Sequence, residues 1–164
     1  MNLIKRIYPL VVIIAVITLI FSPYLLGYVG ITPNVGTNDN VDLQIPFRTV
    51  LQENLKAGRV PLWESRISAG FPLLAEGQIG ALYPLNILFA LLPLTAFYSV
   101  NLSIYAALII SSVGMYFFLQ EFLSSKSEKE DVIRLFSLFG AIIWVQTGVH
   151  FNHTAHLNVL NIFS

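Results

Sequence analysis

Long apolar runs alternate along this chain with shorter mixed stretches, and the boundaries between them mark out its elements. Residues 7–29 carry no charged side chain. A helix needs about 20 residues to cross the roughly 30 Å hydrocarbon layer of a bilayer, so this run predicts a first membrane span. Pro23 falls within it, and a membrane helix accommodates such a proline with a kink. Across residues 30–78 the acids Asp39, Asp42, Glu53, Glu64 and Glu76 and the bases Arg48, Lys56, Arg59 and Arg66 are interleaved with apolar residues. That mixture predicts a folded loop and not a linker. After Pro46, the residues Phe47, Val50, Leu51 and Leu55 recur at helical spacing until Gly58, which predicts a short amphipathic helix. Beyond it, Pro61, Gly70, Pro72, Gly77 and Gly80 predict a succession of turns.

No charge occurs between Gln78 and Gln120, a length too great for one upright span and barely enough for two. Pro84 and Pro93 interrupt its first part, so residues 79–94 are expected as an interfacial or re-entrant segment and residues 97–120 as the second span. A charged stretch, residues 121–134, then reads as a cytoplasmic loop. Residues 135–149 are expected as a third span, and residues 150–164 continue on the outer side. Lys5 and Arg6 before the first span, and Lys126, Lys129 and Arg134 after the second, place the N-terminus and the 121–134 loop in the cytoplasm by the positive-inside bias. The 30–78 loop then lies outside. A cleaved signal peptide is the rival reading of the first run, but that run exceeds the usual apolar core and no small-x-small cleavage site follows it.

Composition narrows the class further. Of 164 residues, 55% are hydrophobic and 11% charged, with mean hydropathy +0.72, against about a quarter charged in soluble domains. The fold class expected is therefore an all-α integral membrane protein with about three transmembrane helices. Net charge is zero and the bases are scattered, which removes the electrostatic footprint of a nucleic-acid binder. With no cysteine, disulfides, thiolate metal sites and cysteine nucleophiles are excluded.

Several polar groups could carry chemistry. Asp39 and Asp42 stand just before the helix predicted at Pro46, whose N-terminus favours carboxylate anions. Either could act as a base, or hold a divalent cation that clamps a phosphate. The commoner use of Asp in such a place is to cap the helix or to sit solvated in a turn. His150, His153 and His156 recur three residues apart. They suit phosphate binding when protonated, or simply a polar end to a span, while metal ligation is disfavoured by the poor angular match across six residues. Arg48, Arg59 and Arg66 could pair with lipid phosphates, although loop arginines more often snorkel into solvent. Trp63 and Tyr83 suit a membrane-interface belt, and Glu76 and Gln78 border the apolar stretch, where solvation is their default.

The succession "NDNVDLQIPFR", "AGRVPLWESRISAGFPLLAEGQIGALYPLNILFALLP", "GMYFFL" and "HFNHTAHLNVLN" resembles the YfhO-like bacterial membrane proteins, members of the GT-C glycosyltransferase superfamily. The resemblance implies transfer of a sugar from a polyprenyl-phosphate carrier to a cell-envelope acceptor on the outer face of the plasma membrane. By position it implies Asp39, and Asp42 as second choice, as the base that takes the acceptor's proton. Under this reading Arg48, Arg66, Glu76, Gln78, Tyr83, His153 and His156 are the candidate contacts to the substrate. Chains of that family are longer and have more spans, so the resemblance also implies the front portion of a longer enzyme, inactive in isolation. Two other readings stand beside it: a transporter component, since broken helices also line substrate pathways, and a non-catalytic structural protein that packs against a further membrane subunit.

Overall fold

The structure, a computed structural model, describes residues 3–26, 40–67, 69–124 and 129–147. It is all-helical, and among the described residues no strand forms: outside the helices the backbone pairs once, in an antiparallel bridge between Glu64 and Phe71. Among the described residues five α-helices follow one another: α1 (Leu3–Leu25), α2 (Ile45–Lys56), α3 (Pro84–Leu91), α4 (Ala96–Ser124) and α5 (Glu130–Val145). A wide π-helical turn, Asn40–Gln44, leads into α2, and two 3₁₀ turns, Leu73–Ala75 and Gly77–Ile79, precede α3.

Two of these helices are long and apolar enough to cross a membrane, over Ile7–Leu25 and Ala96–Ser124. α1 and α4 run antiparallel. Thr18 and Tyr105 share a 2.6 Å hydroxyl hydrogen bond, and Asn101 Nδ2 donates to the Tyr24 carbonyl at 3.3 Å. Around these bonds Ile13, Ile17 and Phe21 pack on Val100, Ile104 and Leu108. Lipid offers no hydrophobic drive for helices to associate, so side-chain bonds and close packing of this kind hold such pairs together. The opposite face of α1 stays uncovered, with Val11 and Leu19 exposed, as is Phe118 on α4.

α5 packs antiparallel to α4 more closely still. Ser112 Oγ donates to the Ala141 carbonyl at 2.9 Å and Trp144 Nε1 donates to Ser111 Oγ at 2.9 Å. A Cβ added at Gly140 would run into Leu119 Cδ1, so a larger residue there requires that leucine to turn aside. The same pairing sets how far α5 reaches. Trp144 stands beside Ser111, fifteen residues inside α4 from Ala96, or about 22 Å along the axis at 1.5 Å per residue. The 16 residues of α5 thus extend about 24 Å, less than the roughly 30 Å hydrocarbon layer. The helix begins at Glu130, ahead of the span expected at 135–149. Its first turn carries Glu130 and Asp131, which suit a helix N-terminus and pair with Arg134 at 2.6 and 2.8 Å.

α2, α3 and the turns between them form a second apolar cluster of Phe47, Val50, Leu51, Leu73, Ile79, Ala81 and Ala90. α2 starts with Pro46 in its first turn and stops before Gly58, which takes the left-handed φ of +68° that favours glycine. α3 begins at Pro84 and ends where Leu92, preceding Pro93, adopts the extended backbone that a following proline imposes. α2 and α3 both lie against α4.

Candidate functional site

The contact between α2 and the rest of the chain is polar at its centre. Gln44, Arg48 and Gln52 follow at intervals of four residues, one helical turn apart, and all three are buried. Each donates to a main-chain carbonyl on the segment opposite: Gln44 Nε2 to Gln78 at 3.3 Å, Arg48 Nη1 to Asn86 at 3.1 Å, and Gln52 Nε2 to Leu94 at 3.2 Å. The acceptors are eight residues apart, so the three rungs clamp α2 along the length of the 78–94 segment. Buried carbonyls near helix ends and turns need such partners, which gives the rungs their structural logic.

The central rung differs from the other two in carrying a charge. Arg48 is 2% exposed, and its Nη1 also donates to Ser99 Oγ at 3.1 Å and Ser103 Oγ at 3.2 Å, both on the first turns of α4. Ser103 Oγ in turn donates to the Ser99 carbonyl at 3.0 Å. Every acceptor around the guanidinium is neutral; among the described residues no carboxylate comes within ion-pair distance of it. Burial lowers its pKa to about 10, so the group remains cationic at neutral pH. Asn86, fully buried, uses its amide nitrogen on the Ile79 and Gly80 carbonyls, while its Oδ1 has no partner.

A second polar cluster lies in the turns. Arg66 donates through Nε and Nη2 to the two carboxylate oxygens of Glu64, both at 2.8 Å, and through Nη2 to Glu53 on α2 at 2.7 Å. The Arg66 hydrogen bonds hold the Glu64 carboxyl down at about 2, and Glu64 followed by Glu53 raises the Arg66 pKa. This fork ties the bridged loop 64–71 to the C-terminal half of α2. Close by, the Trp63 ring covers Gly70 so tightly that a Cβ there would overlap its Cζ2.

The residues singled out in the sequence therefore separate. Arg48 enters the packed junction of α2, α3 and α4, whereas Arg66 is exposed and engaged by two carboxylates. Asp42 lies exposed in the turn that opens α2. Glu76 accepts from the Gln78 amide at 3.3 Å, closing the second 3₁₀ turn, and Gln78 contributes its carbonyl to the first rung. Half-buried Tyr83 sits extended at the head of α3, its carbonyl accepting from Asn86 and Ile87. Asp42 and Arg48 are not brought together: one faces solvent and the other the interior. Asp39, His153 and His156 lie outside the described residues, as does His150. Among the described residues no three His, Cys, Asp or Glu side chains gather as a metal site.

Gln44, Gln52, Asn86, Ser99 and Ser103 emerge only from the fold. Their signal in the sequence was a four-residue polar spacing across a helix face that also carries Phe47 and Leu51, and two serines one turn apart at the start of an uncharged helix. Comparison of the chain with protein-family models, with curated proteins and with solved structures finds no match.

Proposed function

We propose that this protein is a membrane glycosyltransferase that moves a sugar from a polyprenyl-phosphate carrier to a cell-envelope acceptor at the outer face of a bacterial plasma membrane. The observation that carries this reading is that the separate blocks of the YfhO-like resemblance pack onto one another. Arg48 from "NDNVDLQIPFR" meets Asn86 from "YPLN", and Gln44 meets Gln78, at the end of α4 where the chain enters its long apolar helix. In this reading the N-terminus is cytoplasmic, residues 30–78 are outside, and α5 with the residues after it completes a third span.

The chemistry assigned to the site is an inverting displacement at the anomeric carbon. The acceptor hydroxyl attacks, the bond from that carbon to the carrier phosphate oxygen breaks with its electron pair going to the phosphate, and the hydroxyl proton passes to a carboxylate. Asp39 and Asp42 are the candidate bases. Asp42 has the exposure such a role needs. Cationic groups near the leaving phosphate would stabilise the charge that develops there.

The test is transfer of labelled sugar from a polyprenyl-phosphate donor in proteoliposomes. One of Asp39→Asn and Asp42→Asn is expected to lower the rate about 100-fold or more while membrane insertion and abundance stay unchanged. Donor turnover unaltered in both variants would sink the assignment of the base, and solute flux without donor consumption would replace the enzyme reading by a transport one.

A further inference from the structure

The segment that the α2 side chains hold, residues 78–94, doubles back along α4. Arg48 Nη1 bonds at once to the Asn86 carbonyl and to Ser99 and Ser103 Oγ, so the first turn of α3 stands beside the first two turns of α4. Only the short connection 92–95 separates the two helices, which are therefore antiparallel, as in a helical hairpin. The head of α3 is its end farther from Ala96.

Two markers set the depth of this contact in a bilayer. Ser99 and Ser103 lie three and seven residues in from Ala96, about 5–10 Å along the axis. The 29 residues of α4 extend about 43 Å, so a hydrocarbon layer of roughly 30 Å centred on them begins about 6–7 Å in. The apolar stretch of α1 gives the same level. It ends at Leu25, and the neighbouring Tyr24 carbonyl is bonded by Asn101, five residues or about 7–8 Å into α4. Asn86 is thus level with the hydrocarbon boundary, and Pro84 with the turn before it lies deeper.

The backbone there is built for such a place. The carbonyls of Gln78, Ile79, Gly80 and Asn86 accept from the buried side chains of Gln44, Asn86 and Arg48. Water would satisfy a solvated loop; in hydrocarbon, irregular backbone is tolerated only where protein covers it. The outward side chains agree. Leu82, Pro84, Leu88, Leu91 and Leu92 are exposed and all apolar, whereas α2 and its opening turn expose the polar Asp42, Thr49, Glu53 and Lys56. The α2–α3 unit has one wet side and one apolar side.

We propose that residues 78–94 are a re-entrant arm whose apolar side binds the acyl chains of the leaflet at that end of α4. α3 slants along α4 through the boundary, with Leu82 among the acyl chains, Leu88 at the boundary and Leu91 among the headgroups. Gln44 and Arg48 seal the turn carbonyls from lipid, and the arm fixes the height of α2 above the hydrocarbon. The inference rests on α4 crossing the bilayer and not on sugar transfer.

The experiment uses the full chain, which has no native cysteine, in phosphatidylethanolamine–phosphatidylglycerol vesicles. Leu82→Cys, Leu88→Cys and Leu91→Cys each carry a nitroxide, and its collisions with oxygen, which partitions into hydrocarbon, are compared with those of a water-soluble nickel chelate. Ile110→Cys, on the exposed face of α4, marks the bilayer interior, and Lys56→Cys marks water. All three leucine sites are exposed, so substitution there leaves the packing intact. The ratio of oxygen to chelate collisions should rise from position 91 through 88 to 82, with position 82 several-fold above position 56. Equal ratios at the three positions would show a helix lying flat on the surface and overturn the proposal, as would ratios matching position 56 while position 110 is shielded. Chelate access at position 110 equal to that at position 56 would remove the α4 span, and the proposal with it.

Discussion

Replacing Arg48 by methionine removes the charge while keeping most of the side-chain volume, and two opposing terms fix the expected outcome. The loss comprises the hydrogen bonds from Nη1 to Asn86, Ser99 and Ser103. Two protons share three acceptors there, so they count as about two charged bonds, worth roughly 1.5–3 kcal/mol each, or about 3–6 kcal/mol together. The gain is relief of desolvation. Burial pushes the arginine pKa down to about 10, a desolvation cost of roughly 3 kcal/mol. The balance is a net loss of up to about 3 kcal/mol, which at 2–4 °C per kcal/mol lowers the unfolding midpoint by up to about 10 °C in detergent. Arg48→Ala should cost more, because it also leaves a cavity in the junction. Thermal unfolding followed by tryptophan fluorescence measures both. A methionine variant clearly more stable than the wild type would refute the reasoning, since it would mean that the bonds to α3 and α4 contribute less than the buried charge costs.

Two other outcomes follow from the packing. Glu64 has a depressed folded pKa, so its contribution is fully present above its ordinary value of 4.5 and is lost as the pH falls from there through about 2. Glu64→Gln should flatten the dependence of the unfolding midpoint on pH between 5 and 2, and an unchanged slope would count against the Arg66 fork. At Gly140 a β-branched side chain must displace Leu119, so Gly140→Val is expected to cost about 1–3 kcal/mol, read as a lower unfolding midpoint; an unchanged midpoint would show that the α4–α5 seam accommodates the larger side chain without loss.

How much of this was legible beforehand depends on which physical signal each residue gave. α2 could be read because Pro46, the Phe47, Val50, Leu51 spacing and Gly58 all speak locally. The break before α4 could be read because Pro84 and Pro93 restrict the backbone whatever surrounds them. Arg48 could not be placed from spacing, because an arginine on an apolar helix face normally snorkels to solvent, and only the carbonyl of Asn86 and the hydroxyls of Ser99 and Ser103, 38 to 55 residues away, give its head somewhere to go. Charge misled at the start of α5. Glu130, Asp131 and Arg134 read as loop by composition, yet acids in a first turn and pairs three and four residues apart favour a helix there. The carboxylate, histidine and arginine groups were expected on one outer face from the predicted topology, which says nothing about which of them meet. In three dimensions Asp42 faces out, Arg48 faces in, and Arg66 is held by Glu53 and Glu64.

The account depends on α4 crossing the bilayer with the α2–α3 unit at its outer end, and the absence of native cysteine makes that directly measurable. Lys56, exposed at the end of α2, and Lys129, exposed at the head of α5, stand at opposite ends of α4, so Lys56→Cys and Lys129→Cys report on its two sides. In intact bacterial cells a membrane-impermeant thiol reagent should label the cysteine at position 56 at once and the one at position 129 only after permeabilisation. Labelling of both from the same side would contradict the account.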